Sequence, residues 1–350
     1  MCGLREGDFA QHVTEPDTRC PVGADPEVAH GSAPRHALAR RHRRSRSAPP
    51  TEAVASIEAT AAFAEGRLEL VLGTAQLRRA YGALRADDAD PSLERAQRLL
   101  SAAAHAVDAL DTAPAYGDAE ATIGRAGVTL PVHTKIDPAL TPAASLSGSL
   151  ARLGREQVDV LYLHDADEVL HGSGATLPEA HALVGRGTRT VGASVYELAQ
   201  FDAAVRDERI EVIQAPINVL DRRIDGIRLR AAAERSVRVY ARSVLLQGLL
   251  VAPPPLVAER VGALGAHVEA FQRAARDLGR SALEVAIAWV RALPHVDGIV
   301  IGALTPEELD EVVSAARSRQ LAEDELDLVR ALPVPAWEDV DPRRWTSVVP

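Results

Sequence analysis

With 350 residues, 47% of them apolar and 25% charged, the chain has the profile of a globular protein rather than a disordered or membrane-embedded one. No apolar run reaches the length of a membrane span, and a formal net charge of −10 speaks against general affinity for nucleic acid or anionic lipid, since both need phosphate to be neutralised. Both cysteines, Cys2 and Cys20, lie near the start; the body therefore has no disulfide or Cys-based metal site, and the expected compartment is cytoplasmic.

Residues 1–64 read differently from the rest. They are rich in Pro, Ala, His and Arg, include the basic run Ala39–Ser47 (ARRHRRSRS), and show no sustained apolar period, so a disordered N-terminal extension is expected. The stretch 51–65 could add a helix capped by Thr51. From Leu68 onward, short apolar runs alternate with amphipathic stretches of helical period. The expected strands are Leu68–Gly73, Val107–Asp111, Pro131–Lys135, Val158–Leu163, Arg189–Ser194, Glu211–Ala215, Val237–Arg242 and Asp297–Gly302. Helical segments such as Pro91–Ala106 and Ser281–Ala292 lie between them. Continuous Val/Ile/Leu strands joined by helices describe a parallel sheet covered on both faces. No GxGxxG follows any strand, which disfavours an open dinucleotide-binding sheet. The expected architecture is α/β, a single (β/α)8 TIM barrel over residues 65–350 with a C-terminal tail, and its chemistry belongs at the C-terminal ends of the strands.

Of 39 basic residues only Lys135 is a lysine. Codon bias accounts for the arginines but not for the exception, and an amine can be tuned by its surroundings where a guanidinium cannot. Lys135 ends the third strand, Asp111 ends the second, His164 follows the fourth, and Tyr116 lies five residues beyond Asp111. An ammonium stabilises phenolate and so lowers the pKa of Tyr116, a carboxylate anchors the ammonium, and an imidazole can orient a carbonyl oxygen. Together they form a proton donor for a carbonyl. A metal centre at His164 and Asp165 would want more ligands on adjacent strand ends than Asp111 supplies.

The segments DTAPAYG (Asp111–Gly117), VHTK (Val132–Lys135) and LYLHD (Leu161–Asp165), in this order on consecutive strands, resemble the aldo-keto reductase superfamily over roughly Leu68–Val313. LGTAQ (Leu72–Gln76), IQAPINVLDRR (Ile213–Arg223), VYARSVLLQGLL (Val239–Leu250) and GIVIGALTPEELDEVV (Gly298–Val313) extend the likeness. The resemblance implies an NADP(H)- or NAD(H)-dependent oxidoreductase that interconverts an aldehyde, ketone or sugar and an alcohol. Asp111, Tyr116, Lys135 and His164 would be its catalytic group. Ser194 and Gln214 would hold the nicotinamide carboxamide, Arg242, Ser243 and Gln247 would line the cofactor channel, and Gly302, Ala303, Thr305 and Glu308 would meet the adenosine. Three positions depart from the common pattern. Val195 replaces a frequent Asn, Arg242 stands where some members stack a Tyr on the nicotinamide, and Glu308 lies where many carry a cation for the 2′-phosphate of NADPH. A carboxylate there repels phosphate but accepts a hydrogen bond from a ribose hydroxyl, which opens the way to NAD(H). The implied partner is a small molecule. A cofactor-binding sensor or regulatory subunit on the same fold is the alternative, and a metal-dependent barrel hydrolase or lyase a third reading. Loops Leu77–Ala86 and Asp165–Gly174 and the tail Trp337–Trp345 would set the substrate, with Trp337 and Trp345 packing either on the barrel or on the substrate.

Because residues 1–60 lack the apolar pattern of a core segment, their deletion is expected to leave a folded, active barrel. Circular dichroism and turnover of the truncated chain check this; loss of folding in the truncated chain alone contradicts it.

Overall fold

The structure, a computed structural model, describes residues 68–78, 82, 92–171 and 174–345. The expected disordered extension, the helix at 51–65 and most of the Leu77–Ala86 loop lie outside the described residues. Eight strands run β1 (Glu69–Gly73), β2 (Ala109–Asp111), β3 (Val132–Lys135), β4 (Val158–Leu163), β5 (Thr188–Ser194), β6 (Val212–Pro216), β7 (Arg238–Arg242) and β8 (Gly298–Gly302). Every neighbouring pair is parallel, and β8 returns to pair with β1, closing the barrel. This is the expected (β/α)8 architecture.

Six of the eight strands begin one or two residues later than expected, β4 begins at the expected Val158 and β5 begins one residue earlier, and a Val-Asp step recurs at the barrel floor. Asp108 takes the backbone N–H of Leu70 on its carboxylate (2.8 Å), Asp159 that of Val132 (2.9 Å) and Asp297 that of Val239 (2.7 Å). Each aspartate thus ties down the first turn of a neighbouring strand at the barrel floor. Side-chain capping of this kind satisfies backbone donors where the sheet ladder has not yet begun.

Helices supply the outer ring. The helix α1 (Leu93–Ala103) starts at Ser92, whose hydroxyl accepts from Arg95 N, and α2 (Ala119–Ala126) and α3 (Pro142–Leu153) follow β2 and β3. The segment before β8 forms α4 (Ala282–Arg291), with Ser281 and Glu284 in a reciprocal capping box. After β8, α5 (Pro306–Arg317) starts on Thr305, whose hydroxyl accepts from Glu308 N (3.2 Å).

Alternation along each strand sorts side chains between ring and lumen. In β3, Thr134 points outward and donates to Glu120 of α2 (2.6 Å), whereas His133 and Lys135 share the lumen face. The lumen is filled by Val71, Ala109, Val160, Tyr162, Val212 and Tyr240, with His133 edge-on to both tyrosine rings at 6.1 and 5.3 Å. Two glycines make room for those rings: a Cβ on Gly192 would come within 2.6 Å of Tyr162 Cδ1, and one on Gly298 within 2.5 Å of Tyr240 Cδ1. A Cβ at Gly192 would also meet the Val212 carbonyl oxygen at 2.6 Å, and a backbone atom cannot rotate away. Gly192→Ala is therefore expected to lower stability by about 1–3 kcal/mol, the usual cost of overpacking, read as a fall in the denaturant midpoint. An unchanged midpoint would show that the floor repacks freely.

Candidate active site

At the C-terminal mouth of the barrel a cavity of about 440 Å³ is walled by Asp111, Tyr116, Lys135 and His164, together with Ser194, Gln214, Arg242, Ser243, Gln247, Gly302 and Glu308. That volume falls within the range of small-molecule and cofactor sites. Its walls also include Gln76, Tyr196 and Glu311, which the sequence reading did not single out. Two expected residues stand off the wall: Ala303 is buried, and Thr305 is engaged as the cap of α5.

Lys135 is the centre of the arrangement. Its side chain is almost wholly buried, and its ammonium donates to both carboxylate oxygens of Asp111 (2.9 and 2.8 Å) and to the Thr112 carbonyl (3.0 Å). Burial alone would pull this ammonium down, but Asp111 and the Tyr116 oxygen outweigh it and hold Lys135 above its ordinary value. Asp111 also accepts from Gln214 Nε2 (2.8 Å). Gln214 and its register neighbour Ser194 both line the cavity, and an amide oxygen and a hydroxyl are the acceptor and donor that an amide ligand needs.

Lys135 Nζ lies 4.9 Å from the centre of the Tyr116 ring. The ammonium lowers the Tyr116 pKa, as expected of it, but the net shift of the phenol is upward. Burial pushes the phenol above its ordinary value; Lys135 opposes that push, and Arg242 opposes it more weakly, but neither overcomes it. His164 is shifted the other way, below its ordinary value, by burial first and then by the charges of Lys135 and Arg242. Both shifts favour the uncharged form of a side chain on the same cavity wall, the protonated phenol and the neutral imidazole. No three His, Cys, Asp or Glu among the described residues are placed to share a metal ion.

The wall beneath β7 is strained. Of five non-glycine residues with left-handed backbone among those described, Ser243 (φ 57°), Leu246 (φ 49°) and Gln247 (φ 55°) fall in one turn after β7. Such conformations cost free energy and persist only where surroundings enforce them. Buried Asn218 does so from the β6 side, donating to the Ser243 carbonyl (3.1 Å) while its own oxygen accepts from Leu220 N and Asp221 N. In the tail, Trp345 packs against the barrel core and donates to the Asp339 carbonyl, and Trp337 stacks near Arg223 and Arg344. Neither tryptophan lines the cavity.

Removing one member of a buried ion pair strands the other charge. Asp111→Asn is therefore expected to destabilise the protein by about 3–5 kcal/mol, or to drive Lys135 neutral, which a higher alkaline stability of the variant relative to neutral pH would reveal. Chemical denaturation at two pH values checks this, and an unperturbed midpoint at both contradicts it.

Residues 69–333 match the model of the aldo/keto reductase family. A curated relative, the L-glyceraldehyde 3-phosphate reductase of Escherichia coli, is 26% identical over 212 residues, which is 52% of this chain and 60% of that protein. Two solved structures share the fold: the glycerol dehydrogenase of Gluconobacter oxydans (23% identity, TM-score 0.58, 75% of this chain and 90% of that one) and an aldo-keto reductase of Bacillus halodurans in its holo form (21%, 0.62, 75% and 91%). The family match spans most of the closed barrel and every strand that contributes to the cavity, and the chain belongs to the aldo/keto reductase family.

Proposed function

We propose that the protein is an oxidoreductase that interconverts a carbonyl compound and an alcohol with NAD(H) or NADP(H), and that Asp111, Tyr116, Lys135 and His164 are its catalytic group. The observation that carries this reading is the convergence of the Tyr116 hydroxyl, the buried Lys135 ammonium held by Asp111 and the His164 imidazole on one cavity. The residues present suit a nicotinamide: Ser194 and Gln214 offer amide recognition, and Arg242, Ser243 and Gln247 extend the polar wall. When bound, that cofactor supplies the hydride.

Tyr116 gives its hydroxyl proton to the carbonyl oxygen as that oxygen gains negative charge, and takes it back from the alcohol in the reverse direction. Lys135 stabilises the phenolate left behind, and Asp111 and the Thr112 carbonyl fix the ammonium where it can do so. His164, being neutral, can donate one N–H to the carbonyl oxygen without competing as an acid. The raised Tyr116 pKa keeps the acid in place across neutral pH.

The resemblance puts the adenosine of the cofactor at the start of α5, where Glu308 and Glu311 line the cavity. Glu308 accepts from Leu304 N (2.9 Å) and is thereby held in place. Two carboxylates at that end repel a 2′-phosphate, which favours NAD(H) over NADP(H). The curated relative's substrate is a phosphorylated aldehyde by name, and the substrate proposed for this chain is a sugar or small aldehyde.

Tyr116→Phe is expected to keep cofactor affinity within a few-fold while turnover of a responsive aldehyde falls by about a hundredfold or more, the scale of losing a positioned general acid. Turnover within a few-fold of wild type would remove Tyr116 from the mechanism. A wild-type protein that binds cofactor yet turns over no carbonyl in a broad panel would instead establish the sensor reading.

A further inference from the structure

Charge around the reacting centre is unevenly compensated. Lys135 is neutralised by the two-oxygen contact with Asp111. Arg242, at the end of β7, lines the same cavity and meets only neutral acceptors: its Nη2 donates to the Val195 carbonyl (2.9 Å) and its Nη1 to the Ser243 hydroxyl (3.4 Å). Its Nε is buried without a hydrogen-bond partner, and among the described residues no carboxylate lies within ion-pair distance of it. The guanidinium is nevertheless immobilised, with its carbon 3.9 Å from the centre of the Tyr196 ring. It leans toward β5, into the part of the cavity shared with His164 and Tyr116, and its charge bears on the ionisation of both.

A nicotinamide that delivers hydride must lie against the carbon whose oxygen Tyr116 protonates, and hence within the field of this uncompensated cation. The reduced ring is neutral and the oxidised ring carries a positive charge. Resting on the function proposed above, we propose that Arg242 discriminates between the two oxidation states, binding the reduced cofactor in preference to the oxidised one. At an effective dielectric constant of about 20, two unit charges several ångströms apart repel by more than the energy equivalent to a tenfold change in affinity. By linkage, the bound couple then has a higher reduction potential than the free one by the same factor. In the reductive direction the oxidised cofactor leaves readily, at the cost of a less forceful hydride donor on the protein.

The test is equilibrium binding to the full chain without substrate, by quenching of tryptophan fluorescence or by calorimetry, with NADH and NAD+ and with NADPH and NADP+. For the pair that binds, the wild-type Kd of the oxidised form is expected to exceed that of the reduced form by about tenfold or more. Arg242→Met and Arg242→Gln should each shrink that ratio by about tenfold, while Arg242→Lys, which keeps the charge, should hold it within about threefold. A ratio is blind to any general loss of affinity or stability that affects both forms, so a merely structural role for Arg242 leaves it unmoved. Equal wild-type affinities overturn the proposal, as does the same ratio in wild type and in both neutral variants, and either result leaves the oxidoreductase reading standing. Failure of the wild type to bind any of the four nucleotides overturns that reading and this inference together.

Discussion

Enclosing an ammonium inside a barrel is unfavourable unless its charge is answered at once, because transfer from water costs several kcal/mol per ion even after relaxation. Lys135 meets that condition with a carboxylate contact at both oxygens and a backbone carbonyl, all from the neighbouring strand β2 and the residue that follows it. Much of the site follows from this pair. Asp111 must stand in register beside His133 at the end of β2, so the turn after it brings Tyr116 over the ammonium. Gln214, across the barrel, must spend its amide N–H on Asp111. The pair is a poor device for stability, since a hydrophobic pair would do as well, and its retention at a cavity wall is better understood as placing a fixed charge next to a phenol.

Beneath this pair the lumen is polar in an unusual way. His133 is fully enclosed and held down to a pKa of about 4, chiefly by burial, so it is neutral under ordinary conditions. Its Nδ1 and the Tyr162 hydroxyl are buried without hydrogen-bond partners, whereas Tyr240 donates to Glu69 at the barrel floor (2.5 Å). Burial raises Glu69 above the usual carboxylate range, with the Tyr240 hydrogen bond opposing it. Neutral His133 adds no positive charge under Lys135, so the charge that Tyr116 senses is that of the ammonium and not of a second cation below it.

Much of the fold was legible because closed parallel strands are continuous apolar runs, and eight of them alternate with helical periods. What the runs could not reveal was the device at the barrel floor, because nothing in Val107, Val158 or Val296 shows whether the aspartate after it turns its side chain to a neighbouring strand. The repeated Val-Asp step was the available signal, visible only when the three places are compared. The convergence of Asp111, Tyr116, Lys135 and His164 on one cavity was legible for a different reason: a single lysine among arginines cannot be attributed to general charge demand. Tyr196 and Glu311 escaped because nothing local distinguishes a cavity-wall aromatic or carboxylate from a surface one. The net direction of the Tyr116 shift escaped because it is a balance between depth of burial and a neighbouring charge, and depth is a property of the folded chain.

The tail and the β5 turn show how a cation can be held at a cavity wall without being neutralised. Gln200 accepts from Tyr196 N and Glu197 N (2.8 and 2.9 Å) and donates to Asp167 (2.5 Å), which fixes the turn that carries Tyr196. One guanidinium, Arg242, lies 3.9 Å from the centre of that ring and another, Arg343, 4.1 Å from it, separations that two groups can share only on opposite faces. Arg343 brings its own carboxylates, pairing with Asp341 and Glu197, so the cation on the outer face of the stack is answered in full. The one on the inner face is not. Cation–π attraction to a half-buried ring is worth about 0.5–2 kcal/mol and needs no counter-ion, so it can help fix Arg242 in place while leaving its charge directed at whatever occupies the cavity. A carboxylate in the place of Tyr196 would anchor the same arginine and extinguish that charge; an aromatic ring anchors it and preserves it.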